Sequence, residues 1–268
     1  MTDLFIAGHG KNKRTGRFDS GATGFIHKGE HRYMVEDLFP AMRKYLPDGV
    51  KPIFHTEYDV YKQGDIVSLA KKYGKNTRVT EFHFDGALNR SAKGGHVIIH
   101  KSYKPDDLDI KLRNAISDTV GINSAYKHRG YTGVSGRSDL GNTNRCAKGG
   151  VNYRLLELGF GSNKTDSDYM IKNVDTIAKE LVKAFYGKIK IASNSTQLYK
   201  VQVGAFTHID NAKRLRNELI GKGYMDTFVN TKGKLNRVQV GAFSKLDNAK
   251  KLRNELIKKG YKDTFIVS

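Results

Sequence analysis

Four residues in this sequence have the types and settings that a hydrolytic metal site needs. His9 stands between Gly8 and Gly10, directly after the apolar run at residues 4–7. Glu30 opens a helical pattern over residues 30–45, and His83 ends the strand-like RVTEFHF of residues 78–84. Glu157 lies in LLELGFGSN, residues 155–163. A catalytic zinc site takes three nitrogen or oxygen ligands from the protein and keeps one position open. Its ligands belong at strand ends or in the first turn of a helix, where rigid backbone holds them. His9, Glu30 and His83 make such a His₂Glu set, and Glu157 supplies a second carboxylate that can take a proton from water. Glu36 rivals Glu30 because it lies in the same helix, but Glu30 sits where that helix begins. Of the other histidines, His31 is expected to be exposed and His55 to end a strand. His96 and His100 are expected at the surface or in a cleft, and His128 in the glycine-rich loop KHRGYTGVSGR.

The elements that must position these residues alternate along the chain. Strands are predicted at residues 4–7, 52–55, 78–84, 95–100 and 151–158, and helices at 30–45, 66–72, 108–119 and 169–185. Such alternation predicts an α/β fold, a layered sheet flanked by helices.

The last quarter of the chain is written twice. KVQVGAFTHIDNAKRLRNELIGKGYMDTFV at residues 200–229 aligns with RVQVGAFSKLDNAKKLRNELIKKGYKDTFI at 237–266. Each copy reads as strand, helix, strand: VQVGAF alternates, Asp210 and Asn211 can cap a helix, and Ala212, Leu215, Leu219 and Ile220 form one apolar stripe. Gly223 is placed to end that helix. Two βαβ copies, each too small to bury its own face, predict one four-stranded sheet with both helices on one side. If Val201 and Val203 face the helices, Gln202 and its counterpart Gln239 face the open side. Phe206 and Phe243 then either join them or, if Gly204 and Gly241 mark bulges, turn into the core.

The net charge of +20 favours a polyanionic partner without choosing among nucleic acid, membrane and wall polymer. Of 47 Lys and Arg, 17 follow Gly187, against only 6 of 27 Asp and Glu, so the tail is the more basic part. A single cysteine, Cys146, excludes a disulfide framework. No apolar run reaches about 18 residues, and the N-terminus MTDLFIAGHG lacks the parts of a secretory signal.

Two resemblances follow from these motifs. Gly8-His9-Gly10, then Asp19-Ser20-Gly21-Ala22-Thr23-Gly24, Glu30, His83 and Glu157-Leu158-Gly159-Phe160-Gly161-Ser162-Asn163 occur in the order found in zinc-dependent N-acetylmuramoyl-L-alanine amidases of the amidase_3 type. The resemblance implies that His9, Glu30 and His83 hold Zn²⁺ and that Glu157 is catalytic. It departs from the family where KNKRTGRF separates GHG from Asp19, and where Phe84-Asp85-Gly86-Ala87 replaces the usual Asn-Ala after the second histidine. The doubled tail resembles the sporulation-related (SPOR) repeat, a ferredoxin-like α+β module that binds glycan strands stripped of peptides. Gln202, Gln239, Phe206 and Phe243 are its expected glycan contacts. The expected layout is an amidase domain at residues 1–187, a linker at 188–197 and a SPOR-like domain at 198–268.

The expected function is therefore cleavage of the bond between N-acetylmuramic acid and L-alanine by a monomer that binds peptidoglycan and, with its basic charge, anionic wall polymers. Without a signal peptide, the chain is expected to be made in the cytoplasm and to reach the wall after lysis or through a holin. A phage endolysin and a mother-cell autolysin fit equally. The alternatives are a zinc carboxypeptidase or endopeptidase of the wall, and a non-enzymatic wall- or RNA-binding protein. No nucleic-acid partner is expected, because the aromatic RNA-binding strand signature is absent. No membrane insertion is expected either.

Overall fold

A computed structural model describes residues 1–190, 198–231, 233–243 and 245–267. The chain divides into two compact units, Met1–Ala192 and Ser193–Ser268. Most of the expected linker, residues 191–197, lies outside the described residues.

The first unit begins with β1 (Asp3–Ala7), the short hairpin β2 (Gly10–Lys11) and β3 (Phe18–Asp19), and α1 (Glu30–Tyr33). A π-helical turn, Met34–Leu38, joins α1 to α2 (Phe39–Tyr45), so helical backbone runs through the predicted span 30–45. There follow β4 (Ile53–His55), α3 (Val60–Gln63), α4 (Ile66–Lys72), β5 (Arg78–Asp85), β6 (His96–His100) and α5 (Asp107–Ser117). Then come β7 (Lys127–His128), β8 (Tyr131–Thr132), β9 (Val134–Arg137), α6 (Gly141–Gly149) and β10 (Asn152–Phe160). The unit closes with α7 (Lys164–Lys172) and α8 (Val174–Tyr186). The single helix expected over 169–185 is thus two. Asn163 caps the first by accepting from the backbone of Thr165 and Asp166, and the break falls at Asn173.

Six strands form one sheet in the order β4-β1-β5-β10-β6-β9. β4, β1, β5 and β10 are parallel neighbours, and β6 runs antiparallel to β10. Both faces are covered, as parallel sheets require. Phe5, Phe82, Phe84, Leu156 and Val97 pack on one face against α2, α5 and α8. Leu4, Ile6, Val79, Leu155 and Ile98 pack on the other with α4 and α6. Alternate residues of each strand enter opposite layers, so Glu81, His83 and Asp85 share the second face. The buried Arg154 guanidinium on the first face is held by Asp109 at 2.7 Å and Asp106 at 2.9 Å, tying β10 to the start of α5.

The second unit holds β11 (Tyr199–Phe206), α9 (Ile209–Gly221), β12 (Thr227–Asn230), β13 (Asn236–Phe243), α10 (Leu246–Lys258) and β14 (Phe265–Val267). Its strands form an antiparallel sheet ordered β12-β13-β11-β14. Val201, Val203, Val238 and Val240 bury against Ala212, Leu219, Ala249 and Leu256 of the two helices. The helices start one residue before Asp210 and Asp247, so these carboxylates lie in the first turn, where they favour the positive end of the helix, and do not cap it. No helix among the described residues is long and apolar enough to cross a membrane.

Candidate metal centre and active site

The parallel strands β1, β5 and β10 are adjacent, so their carboxyl ends open together, where ligands of open α/β sheets bind. His9 follows β1, and His83 and Glu157 are register partners on β5 and β10. Glu30 is the first residue of α1, and its buried carboxylate accepts the Ala22 N–H at 3.0 Å. Gly8 is required here by close approach, since a Cβ on it would lie 2.1 Å from the His83 ring. His9 itself sits at φ 62°, a left-handed conformation that costs a non-glycine residue on the order of 1–2 kcal/mol.

The Glu30 carboxylate bridges the two imidazoles. Oε1 lies 2.5 Å from His83 Nδ1, and Oε2 lies 3.4 Å from His9 Nε2. Each ring meets a second carboxylate at its other nitrogen: Asp19 lies 3.3 Å from His9 Nδ1, and Glu81 lies 3.2 Å from His83 Nε2. An imidazole between two carboxylates needs a cation on each side, either two protons or one proton and a metal ion. Burial lowers the proton affinity of both rings, but Glu30 outweighs it for His9, and Glu30 with Glu81 raises His83 well above the usual range. Burial likewise opposes ionisation of Glu30, yet the two imidazoles hold it down to about 2. His9, Glu30 and His83 offer ligand atoms that all lie within 4.8 Å of one another, and this donor set fits a divalent metal ion. Among the described residues, the other such group is His9 with Asp19 and Asp59.

Glu157 is half-buried beside this cluster, with Oε2 shielded and lacking a hydrogen-bond partner among the described residues. Burial first, then the carboxylates of Asp85, Glu30 and Glu81, push its carboxyl well above the usual range, against the pull of His83. Asp85 is pushed up to about 6 by burial and by Glu30. A cavity of about 230 Å³ opens next to His9 and His83, with Tyr61, Lys62, Leu140, Asn142 and Tyr153 in its wall.

Glu36 does not join the cluster, because its side chain is half exposed and pairs with Lys28 at 3.1 Å. His31, expected at the surface, is buried, with Nδ1 2.9 Å from the Gly8 carbonyl and the edge of Phe18 against its ring. His96 is also interior, stacked on Tyr126 with ring centres 3.8 Å apart, and not at the surface or open in a cleft. His55 ends β4 and is buried against Tyr58, while His100 meets Asn144 at 3.1 Å. His128 lies 2.9 Å from the Tyr103 carbonyl. Sequence reasoning missed Asp19 and Glu81. The available signal for Glu81 is its place two residues before His83 on a strand, which puts both on one face.

In the second unit, Gln202 and Gln239 are cross-strand partners, flanked in register by Phe265 and Phe228. Directly opposed residues share a face, so a row Phe228, Gln239, Gln202, Phe265 crosses the side away from the helices. The two phenylalanines are 39% and 48% exposed, and the glutamines are buried between them. Phe206 and Phe243 pack instead toward Leu215 and Leu252 on the helix side. Register shifts at Val203 and Gly241 reverse the alternation beyond the glutamines, so of the two alternatives the bulged one, with both rings on the helix side, is observed.

Residues 4–187 match the N-acetylmuramoyl-L-alanine amidase family, and residues 195–268 match the SPOR domain. The probable autolysin PH of Staphylococcus aureus (strain NCTC 8325 / PS 47) is 32% identical over 200 residues, covering 69% of this chain and 38% of that protein. The chain thus spans well under half the length of that relative. The catalytic domain of the CD27L endolysin targeting Clostridia Difficile superimposes with a TM-score of 0.51 at 21% identity, covering 70% of this chain and 98% of its own. The amidase Ami1 from Mycobacterium smegmatis gives 0.53 at 18%, covering 70% and 95%. These two likenesses bear on the fold of the first unit. With the match over residues 4–187, the chain belongs to the N-acetylmuramoyl-L-alanine amidase family and carries a SPOR domain behind its catalytic unit.

Proposed function

We propose that the chain hydrolyses the amide bond between N-acetylmuramic acid and L-alanine in peptidoglycan. The observation that carries this reading is the Glu30 carboxylate bridging His9 and His83 at the mouth of the sheet, with the Glu157 carboxyl in register beside His83. Zn²⁺ held by His9, Glu30 and His83 would supply Lewis acidity toward the amide carbonyl and toward water. Glu157 takes a proton from the attacking water and returns it to the departing alanine nitrogen. Desolvation and the neighbouring carboxylates raise its proton affinity, which suits a group that must take a proton and give it back. Asp19 and Glu81 keep the two histidine rings turned toward Glu30.

The SPOR unit holds the enzyme on glycan. Phe228 and Phe265 offer flat apolar surface to sugar faces, and Gln202 and Gln239 offer amide groups between them. A glycan strand freed of its peptides is also the product of the proposed cleavage, so each cut creates binding sites for the tail. Digestion of purified peptidoglycan followed by mass analysis tests the activity. Release of intact stem peptides that begin with L-alanine supports it; cleavage only between amino acids indicates a peptidase.

A further inference from the structure

We propose that Glu81 is a positioning residue that fixes the proton of His83 on Nε2 and so presents Nδ1 to the metal. This inference rests on the metal-site reading above. His83 has two chemically distinct nitrogens, and only the deprotonated one can ligate. Nδ1 faces Glu30 at 2.5 Å, whereas Nε2 faces Glu81 Oε1 at 3.2 Å. An acceptor behind the ring selects the tautomer and sets the ring orientation.

The setting of Glu81 argues against a packing role. It is 3% exposed, and an ionised carboxylate is costly to bury unless donors surround it. Those donors come from two different elements. Tyr153 of β10 donates its hydroxyl to Oε2 at 2.6 Å, and Asn142 of α6 donates Nδ2 to the same oxygen at 3.0 Å. Asn142 is held in turn by Arg145, which donates to its Oδ1 at 3.0 Å. Three strand and helix elements therefore converge to aim one carboxylate at one imidazole. Asp19, behind His9, is 41% exposed at its side chain and is met by the Gly21 N–H at 3.0 Å and by Lys62 at 3.7 Å.

The test is zinc affinity of the full chain, read by competition with a chromophoric chelator, together with the melting temperature of the metal-free protein. Glu81→Gln is expected to weaken zinc binding by about tenfold to a hundredfold, the metal-free melting temperature serving to show that the variant is folded. Tyr153→Phe, a milder change, is expected to weaken zinc binding in the same direction by less. In the zinc-loaded parent, nitrogen NMR should place the His83 proton on Nε2. Parent-like zinc affinity in both variants, or a proton on Nδ1, overturns the role given to Glu81. A parent chain that binds no zinc overturns the metal reading itself. If Glu81→Gln does not fold, unchanged affinity in Tyr153→Phe decides against the proposal.

Discussion

In the proposed mechanism Glu157 moves the proton, and its replacement isolates that role. Glu157→Gln keeps the shape of the side chain and removes its ability to take up a proton, so zinc content and folding should persist. Release of stem peptides should fall by about a hundredfold or more; near-parent release in a zinc-loaded variant would remove Glu157 from the chemistry. The two histidines proposed as ligands make a second prediction. In the metal-free fold both hold protons more tightly than an ordinary imidazole at 6.5. Their contribution to stability is therefore full below about pH 6.5 and is lost as the pH rises through the raised folded values. The raised Glu157 carboxyl acts in the same direction, from its own lower starting point. The melting temperature of chelated protein should fall as pH rises above about 6.5, and the increase produced by zinc should grow over the same range. An increase that shrinks with pH would contradict this arrangement. His9, Glu30, His83 and Glu157 were legible because glycines, a helix start and strand ends mark them. The contacts of Glu81 and Asp19 with the rings were not legible, although Glu81 stands two residues before His83 on one strand, because which carboxylate meets which ring nitrogen depends on the packing around them. His31 was misread because a helix position next to a ligand gives no sign of which side it faces.

At the level of elements, the approach of β1 to β5 sets the site. A methyl group on residue 8 would land on the His83 ring, so Gly8→Ala should cost about 1–3 kcal/mol in urea denaturation and most of the zinc affinity. A variant that keeps both would mean the ring has room to move. The order of strands and helices in this unit follows its alternation of apolar runs, which is why the layers were readable from sequence. The division of the last helix was not, because Asn163 and the polar turn after it look like loop until the cap is seen. In the second unit the repeat made the four-stranded sheet readable, including the two glutamines on its open side. The bulges decided the phenylalanines, and a bulge depends on pairing between strands that no single copy contains. Phe228→Ala and Phe265→Ala should each weaken binding to peptide-free glycan by about tenfold, whereas Phe206→Leu should leave it unchanged. Equal losses from all three would return the binding surface to the helix side.

Across the whole molecule, the work is proposed to divide between a cleaving unit and a glycan-holding unit. A chain ending at Gly187 should bind zinc and cleave small muropeptides yet lose most of its retention on intact wall. Retention equal to that of the full chain would show that the tail does not anchor it. The net charge of +20 would draw the chain to an anionic wall polymer, and on that reading retention should also weaken with salt. The bond that is cut remains the central claim. Purified peptidoglycan digested with the zinc-loaded chain, with and without a chelator, gives products whose masses report that bond directly. Glycan with free lactyl carboxyls and stem peptides beginning with L-alanine, both abolished by the chelator, is the expected result. Lactyl amides left intact, with new termini inside the stem peptide, would contradict it.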